Sequence, residues 1–321
     1  MPKKPFIHVT RKLPDAVTQR LLASYEASLN AEDRQQTAEE VLRGAERADA
    51  LLVTPTDKIT AELIGKLPAN VKMIATFSVG YEHIDVEAAK KRGLTVSNTP
   101  DVLTDATADI ALLLMLGAAR RAYEGERAVR DATWSSWSTG YMLGVHVTGK
   151  RLGIFGMGRI GQAVAKRARA FDMEIHYSNR RRLSADLEQG AAFHADPEAM
   201  LPHCDFLSVN APAGAETHHW LNAARIAKLP DGAIVVNTAR GALVDDTALI
   251  AALKSGKLFA AGLDVFEGEP KINPAYRELK NVFLLPHLGS ATVETRNAMG
   301  FKALDNLDAF FAGKPLSDRV V

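Results

Sequence analysis

Two hydrophobic patterns alternate along the chain. Short apolar runs rich in β-branched residues predict buried strands, and the longer segments between them have apolar positions at helical spacing. Strands and helices repeated in this order are typical of parallel sheets covered by helices on both faces. The predicted strands are FIHV (6–9), LLV (51–53), MIATF (73–77), LTV (94–96), RLGIF (151–155), MEIHY (173–177), FLSV (206–209), AIVVN (233–237) and FLLP (283–286).

The predicted strands fall into two groups, separated by a long helical stretch from Asp101 to Arg130 that has no strand pattern. The sequence therefore predicts an α/β protein with two doubly wound parallel-sheet domains. The 321 residues, 47% of them hydrophobic, are enough to form two cores. We assign residues 1–99 and 288–321 to one domain and residues 100–287 to the other, because the last amphipathic segment, 292–311, has no third core to join.

Charge and composition exclude several classes of protein. Lysine and arginine number 39 against 38 acidic residues, so the net charge of +1 does not favour a nucleic acid or an acidic membrane as partner. The longest apolar run, IALLLMLG (110–117), is too short to cross a bilayer. The N-terminus has no apolar core of a secretory signal, and the single cysteine, Cys204, is consistent with a reducing compartment. We expect a cytoplasmic protein.

A glycine-rich turn follows the predicted strand RLGIF. The sequence KRLGIFGMGRIGQ (150–162) runs from a strand through GxGxxG into a helical pattern, which is the context that makes this motif informative. The glycines permit a tight turn, a close approach to a pyrophosphate and packing of the helix on the strand, with the helix N-terminus facing the anion. The residues predicted to bind a dinucleotide here are Gly156, Gly158, Arg159, Ile160 and Gly161.

The segment YSNRRR (177–182) lies about twenty positions beyond the glycine turn, where a dinucleotide fold meets the adenosine ribose. An acidic residue there would favour a free 2′-hydroxyl, but the chain has Asn179 followed by Arg180 and Arg181. Guanidinium groups suit a 2′-phosphate, so the sequence predicts NADPH as coenzyme, with NADH bound more weakly. The alternative is a solvated basic loop. We expect Arg182 to lie outside the phosphate site.

Three further motifs place ionisable residues at predicted strand ends: NTARGALVD (237–245), GLDVFEGEP (262–270) and LPHLGSAT (285–292). Together with SVGYEHID (78–85), TADIALLL (107–114) and GMGRIG (156–161), they make the chain resemble the D-isomer-specific 2-hydroxyacid dehydrogenases, most closely the glyoxylate/hydroxypyruvate reductase branch. The resemblance covers nearly the whole chain. It implies a Rossmann coenzyme domain inserted in a flavodoxin-like catalytic domain, and NAD(P)H-dependent reduction of small 2-oxoacids such as glyoxylate and hydroxypyruvate.

The resemblance also implies residue roles. Arg240, with the backbone N–H groups of Val79 and Gly80, would hold the substrate carboxylate, and His287, paired with Glu269, would supply the proton. These residue types suit the reaction, because hydride delivery to a carbonyl carbon leaves an alkoxide that needs a proton. A carboxylate beside a histidine stabilises and orients the imidazolium, and arginine matches a planar carboxylate.

Other residues are assigned by the same resemblance. Asp264 and Thr107 would line the nicotinamide pocket, and Thr238 is placed with the coenzyme contacts. Asp264 could equally cap a loop. The helical stretch 101–130 would build a homodimer, and Trp137, in the following loop WSSWSTGYM (134–142), would select substrate in the neighbouring subunit. Ordinary interface packing is the alternative for Trp137.

No metal site is predicted, because His218-His219 and His203 show no ligand spacing with cysteine or acidic residues. Two alternatives to the reductase stay open. One is another dehydrogenase of D-2-hydroxyacids or of phosphoglycerate. The second is a dinucleotide-sensing protein similar to a transcriptional corepressor, which would keep the same residues without turnover.

Overall fold

The computed structural model describes residues 4–321. The chain forms two compact units: a discontinuous unit, Met1–Leu103 with Ala291–Val321, and an inserted unit, Thr104–Ser290. The sequence-based domain boundaries, at 99/100 and 287/288, lie a few residues from these limits. The roles of the two domains as catalytic and coenzyme-binding stay predictions.

The strands of the discontinuous unit are β1 (Phe6–Val9), β2 (Glu26–Ser28), β3 (Ala50–Val53), β4 (Met73–Thr76) and β5 (Thr95–Ser97). Its helices are α1 (Asp15–Ser24), α2 (Ala38–Ala45), α3 (Ala61–Lys66), α4 (Val86–Lys91) and, from the C-terminal segment, α12 (Val293–Phe311). The strands form a parallel sheet in the order β2-β1-β3-β4-β5, which is the flavodoxin-like order.

This sheet is buried on both faces. Ala50 and Leu52 of β3 join one apolar cluster, and Leu51 and Val53 join another, as expected when successive side chains point to opposite faces. Helix α12 packs closely on α1, because a Cβ at Gly300 would lie 2.4 Å from a methyl group of Val17.

The strands of the inserted unit are β6 (Arg151–Phe155), β7 (Glu174–Ser178), β8 (Ala192–Phe193), β9 (Phe206–Val209), β10 (Ala233–Asn237), β11 (Leu258–Leu263) and β12 (Val282–Leu284). Its helices are α5 (Thr104–Ala119), α6 (Ala122–Arg130), α7 (Arg159–Arg169), α8 (Ala185–Glu188), α9 (Pro197–Met200), α10 (Ala223–Lys228) and α11 (Asp246–Ser255).

The seven strands are parallel, in the order β12-β11-β10-β9-β6-β7-β8. The order reverses at β6, which lies between β7 and β9, as in a Rossmann fold. Alternate residues of β10 again serve two cores, with Val235 on one face and Ile234 and Val236 on the other. The predicted fold class, two doubly wound parallel-sheet domains, is confirmed.

The apolar run inside α5 packs against the inserted unit's sheet. A Cβ at Gly262 of β11 would lie 2.7 Å from the carbonyl oxygen of Leu114, so glycine is needed for this close approach. Among residues 4–321, no helix combines the length and apolar composition required to span a bilayer.

Candidate active site

The glycine turn lies at the carboxyl end of β6, where the strand order reverses. Gly156 has φ +92°, and a Cβ on it would lie 2.6 Å from the backbone nitrogen of Ala211. A Cβ at Gly161 would lie 2.5 Å from the carbonyl oxygen of Gly156. These two glycines are therefore required by the turn itself and by the packing of α7 on it.

Gly158 differs from the other two glycines. A Cβ there would meet nothing within 4 Å, and Gly158 caps α7 without any side-chain cap or acidic residue in the first turn. The exposed N–H groups of a helix start attract anions. The open space at Gly158 and the uncapped helix fit a pyrophosphate that approaches the backbone closely.

Two buried polar atoms at neighbouring strand ends also fit a ligand at this edge. Oγ1 of Thr238, directly after β10, and Oδ1 of Asn210, directly after β9, have no hydrogen-bond partner within residues 4–321. The backbone N–H of Asn210 donates to the carbonyl of Phe155, beside the glycine turn. Buried polar atoms normally have a hydrogen-bond partner. These two atoms are therefore the ones at this edge to which a bound molecule would best supply a hydrogen bond. Sequence reasoning missed Asn210, although its place directly after the predicted strand FLSV could have indicated it.

The side chain of Asn179 is engaged by the glycine turn. Its Oδ1 accepts a hydrogen bond from the backbone N–H of Met157 (2.7 Å), and its Nδ2 donates to the carbonyl of Met157 (3.3 Å). Asn179 thus supports the turn, and it places no charge beside the ribose position. This supporting role is not visible from the spacing of the motif.

The three arginines after Asn179 have different surroundings. Arg180 and Arg181 are exposed, and neither has a hydrogen bond or an ion pair within residues 4–321. Arg182 instead forms two hydrogen bonds with the buried carboxylate of Glu188, at 2.8 and 3.0 Å. The Arg182 guanidinium and the Tyr177 hydroxyl hold the pKa of Glu188 below its usual value. Arg182 is therefore a structural residue, and the role of the two preceding arginines in binding a phosphate stays a prediction.

His287 and Glu269 form a short hydrogen-bonded pair. Nδ1 of His287 lies 2.6 Å from Oε1 of Glu269, with both side chains roughly two-fifths exposed. The other oxygen of Glu269 accepts the backbone N–H of Phe266 at 3.1 Å. Burial opposes ionisation of Glu269, but the hydrogen bond and charge of His287, the Phe266 N–H and the charge of Arg240 outweigh it and lower its pKa. The carboxylate is thus ionised and oriented toward the imidazole.

The backbone that carries His287 is firmly held. His287 has φ +56°, a left-handed conformation that is uncommon for a residue with a side chain. The two carboxylate oxygens of Asp264 accept the N–H groups of Leu288 (2.6 Å) and Gly289 (2.7 Å), and the His287 N–H donates to the Asp264 carbonyl (2.8 Å). Asp264 is almost fully buried. Its geometry favours the loop-capping interpretation over a direct contact with nicotinamide.

Thr107 completes this support. Its side chain is buried, and its hydroxyl donates to the carbonyl of Gly289 at 3.0 Å. Burial raises the pKa of Asp264, against the opposing effects of the two backbone N–H groups and of His287. The loop 287–289 is thus fixed from two sides, by the end of β11 and by the start of α5.

Arg240 follows β10 in extended conformation, with φ −145° and ψ 145°. Its carbonyl accepts the side-chain N–H of Asn237 at 2.9 Å, and its own guanidinium donates to the carbonyl of Ala239 at 2.7 Å. Its charge contributes to the lowered pKa of Glu269. The charged groups of Arg240 and His287 therefore lie close enough to Glu269 to interact with its carboxylate. All three residues follow strands at the carboxyl edge of the sheet, where open α/β sheets bind ligands.

In the discontinuous unit, the turn that contains Val79 and Gly80 follows β4. The Ser78 hydroxyl donates to the carbonyl of Gly80 (2.6 Å), and the Asn98 amide donates to the carbonyl of Val79 (2.8 Å). Within residues 4–321, the N–H groups of Val79 and Gly80 make no hydrogen bond. The turn thus has its carbonyls engaged and its N–H groups available, and its role in holding a carboxylate stays a prediction.

Trp137 lies in a highly exposed segment without helix or strand. Its side chain is 77% exposed, and Trp134 and Leu143 of the same segment are also exposed. Several exposed large apolar side chains in one segment are typical of an interaction site.

The comparisons with known proteins agree with this fold. The model of the D-isomer specific 2-hydroxyacid dehydrogenase NAD binding domain matches residues 112–289. A glycerate dehydrogenase of Hyphomicrobium methylovorum is 46% identical over 319 residues, which cover 99% of both chains. A glyoxylate reductase of Thermococcus litoralis is 43% identical over 97% of this chain and 95% of that one.

The solved structure of one relative contains a coenzyme. The NADPH-dependent glyoxylate/hydroxypyruvate reductase of Sinorhizobium meliloti, in complex with NADP and malonate, has a TM-score of 0.88 and 34% identity, covering 99% of this chain and 97% of that one. The chain belongs to the D-isomer specific 2-hydroxyacid dehydrogenase family. It is an oxidoreductase with an NAD-binding domain.

Proposed function

We propose that this protein reduces small 2-oxoacids, glyoxylate and hydroxypyruvate above all, with NADPH as the preferred coenzyme. The observation that carries the proposal is the His287–Glu269 pair, 2.6 Å apart, with Arg240 close enough to lower the pKa of the same carboxylate. The names of the relatives support this substrate class, since glycerate is the reduced form of hydroxypyruvate and glyoxylate is the shortest 2-oxoacid.

Each residue has a defined task in this mechanism. The bound nicotinamide supplies a hydride to the carbonyl carbon. Because Nδ1 of His287 is engaged by Glu269, the proton for the developing alkoxide comes from Nε2. Glu269 keeps the imidazole oriented through the hydrogen bond to Nδ1. Arg240 anchors the substrate carboxylate through paired N–H groups and polarises the adjacent carbonyl.

The chain's own residues account for coenzyme binding. Gly158 and the uncapped start of α7 would receive the pyrophosphate, and the buried polar atoms of Asn210 and Thr238, which have no hydrogen-bond partner within residues 4–321, would bind the remainder of the coenzyme. Arg180 and Arg181, exposed and without protein partners, pair with the 2′-phosphate. A guanidinium–phosphate contact is charge-assisted and two-pronged, which favours NADPH over NADH.

We further propose that the protein is a homodimer built on α5, α6 and the segment that follows. Seven large apolar side chains between residues 113 and 143 are exposed on the single chain: Leu113, Tyr123, Val129, Trp134, Trp137, Tyr141 and Leu143. A partner that covers them would bring Trp137 to the site of the neighbouring subunit. A solution-mass measurement that finds an active monomer would contradict this part of the proposal.

A turnover assay tests the proposed reaction. Glyoxylate, hydroxypyruvate and bulkier 2-oxoacids are offered with NADPH and with NADH, and kcat/KM is measured for each pair. The proposal predicts the highest values for glyoxylate and hydroxypyruvate with NADPH. Tight NADPH binding without reduction of any 2-oxoacid would instead favour the dinucleotide-sensing alternative.

A further inference from the structure

A cluster of two histidines and one glutamate lies apart from the residues assigned to the reaction. His218 and His219 are in the loop between β9 and α10, and Glu267 is in the loop after β11. Oε1 of Glu267 is 2.9 Å from Nε2 of His219 and 4.0 Å from Nε2 of His218. One nitrogen or oxygen ligand atom from each residue lies within 4.8 Å of the other two.

The backbone brings the two neighbouring imidazoles to the same side. His219 has φ +47°, and its ring stacks on that of His218 with centroids 4.0 Å apart. In extended chain, successive side chains would point in opposite directions. The left-handed conformation of His219 therefore gives this loop two imidazole donors facing one carboxylate.

The two loops are held in place by a third. The His219 N–H donates to the carbonyl of Ala242 at 2.7 Å, which joins the histidine loop to the segment after β10. That segment packs directly on the glutamate loop, because a Cβ at Gly241 would lie 1.9 Å from the carbonyl carbon of Phe266. The separation between the histidine pair and Glu267 is thus set by packed backbone rather than by flexible side chains alone.

We infer that His218, His219 and Glu267 bind a divalent transition-metal ion. Two imidazoles and a carboxylate are a donor set for Zn²⁺, Co²⁺, Ni²⁺ or Cu²⁺, whereas Mg²⁺ and Ca²⁺ prefer oxygen ligands. Bonds of about 2.0 to 2.1 Å place two ligand atoms of a tetrahedral ion roughly 3.3 Å apart. The distances of 2.9 and 4.0 Å lie on either side of that value. Because His218 is 57% exposed, its ring can turn to complete the geometry.

The ion would join the histidine loop to the glutamate loop, which also carries a residue of the proposed reaction. The glutamate loop continues into Glu269, and the segment that His219 contacts begins just after Arg240. The three protein ligands leave coordination positions for water, since all three side chains are partly exposed. The site is separate from the proposed chemistry, so its existence does not depend on the substrate or the coenzyme.

Metal titration of the full-length, tag-free protein tests this inference. After treatment with a chelator, Zn²⁺ is titrated by calorimetry and Co²⁺ by its visible absorption. We expect one equivalent bound by the parent protein, and a loss of affinity of about tenfold or more in His218→Gln, since even outer-shell changes cost roughly 10 to 100-fold. Glu267→Gln should weaken binding as well. His146→Gln, at an exposed histidine outside the cluster, is the matched control and should bind like the parent.

Three results would overturn the inference. One is the absence of stoichiometric binding at millimolar metal. Another is unchanged affinity in His218→Gln. The third is loss of the bound ion in His203→Gln. That result would move the site to a separate cluster, in which the ring centroids of His176, His194 and His203 lie 5.0 to 5.5 Å apart. Circular dichroism of each variant confirms that a lost site does not reflect a lost fold.

Discussion

The loop that carries His287 and the segment that carries Arg180 and Arg181 both follow strands of the inserted unit, but the protein holds them very differently. The His287 loop is fixed by Asp264, Thr107 and Glu269 through hydrogen bonds of 2.6 to 3.0 Å. Arg180 and Arg181 are exposed and make no hydrogen bond or ion pair within residues 4–321.

This difference matches what each region is proposed to do. A proton donor must stand in position before the reaction, since a misplacement of about 1 Å can cost roughly 100-fold in rate. A phosphate clamp can be ordered by the phosphate itself, at the cost of side-chain entropy on binding. The contrast therefore predicts that changes in the first region affect turnover and stability, and that changes in the second affect only the coenzyme preference.

The largest effect is expected for His287→Ala. Removing the proposed proton donor should lower kcat for glyoxylate reduction by about 10² to 10⁴-fold, because that is the usual contribution of general acid catalysis. The affinity for NADPH, measured by fluorescence titration, should change little. A variant with parental kcat would show that the proton comes from elsewhere.

Asp264→Asn sharpens the comparison by loosening the His287 loop without touching its imidazole. The amide has only one acceptor oxygen, so one of the two backbone N–H groups of Leu288 and Gly289 loses its partner. We expect a loss of about 1 to 3 kcal/mol in the free energy of unfolding and a lower kcat, with the Kd for NADPH unchanged. A large increase in that Kd with intact stability would instead make Asp264 a direct nicotinamide contact.

Arg180→Ala combined with Arg181→Ala tests the exposed region. Losing a charge-assisted hydrogen bond worth about 1.5 to 3 kcal/mol should lower kcat/KM with NADPH tenfold or more and leave kcat/KM with NADH nearly unchanged. Arg182→Ala is the matched control. It should lower the melting temperature, because Glu188 loses its charged partner, without changing the coenzyme preference. Equal losses with both coenzymes in the double variant would favour the solvated-loop interpretation.

The smallest effect concerns the pH dependence of stability. Burial lowers the pKa of His176 and of His194 below 6.5, and their neighbour His203 adds to the shift. Glu174, which faces His176, opposes it and Arg151 reinforces it. The pKa values of His176 and His194 are thus lower in the folded state than in the unfolded state, so protonation of these two residues favours unfolding. Their contribution to the free energy of unfolding is fully present above pH 6.5 and is lost as the pH falls below that value.

The His203→Gln variant isolates this contribution. Its melting temperature should fall less than that of the parent between about pH 7 and pH 5, since one source of repulsion is absent. Differential scanning calorimetry at several pH values measures the slope. Identical slopes would mean that the three histidines do not interact through their charges.

Much of the fold could be predicted because the strands are short apolar runs of β-branched residues. FIHV, RLGIF, FLSV and AIVVN coincide with β1, β6, β9 and β10. The pattern missed β11 (LFAAGL), whose alanines and glycine give a weak strand signal, and it missed β2 and β8, which have only three and two residues. The predicted helical stretch 101–130 is two helices, since Arg121 adopts a left-handed conformation with φ +54°.

The site was predictable where a motif carries the chemistry and not where the fold brings distant residues together. Glycine spacing indicated the turn at 156–161, but the contact of Asn179 with Met157 depends on how two strands pair. Nothing in the sequence joins His218 and His219 to Glu267, 48 positions further on, because that proximity arises from three loops packed at one edge of the sheet. The spacing of residues in a motif identifies neighbours along the chain, whereas contacts between distant residues depend on the topology of the fold.

The hydrogen bond between Thr107 and Gly289 has a consequence for how the chain assembles. It joins the first helix of the inserted unit to its last loop, so the folded inserted unit delivers its two chain ends side by side. Helix α12 must find α1 and β4 from almost the opposite end of the sequence, and the entropy cost of closing a loop rises with its length. A folded insert replaces that long flexible loop by a short fixed connection. Helix α12 should therefore dock on α1 and β4 only after the inserted unit has folded, and refolding experiments with separate probes on α12 and in the inserted unit should show that order.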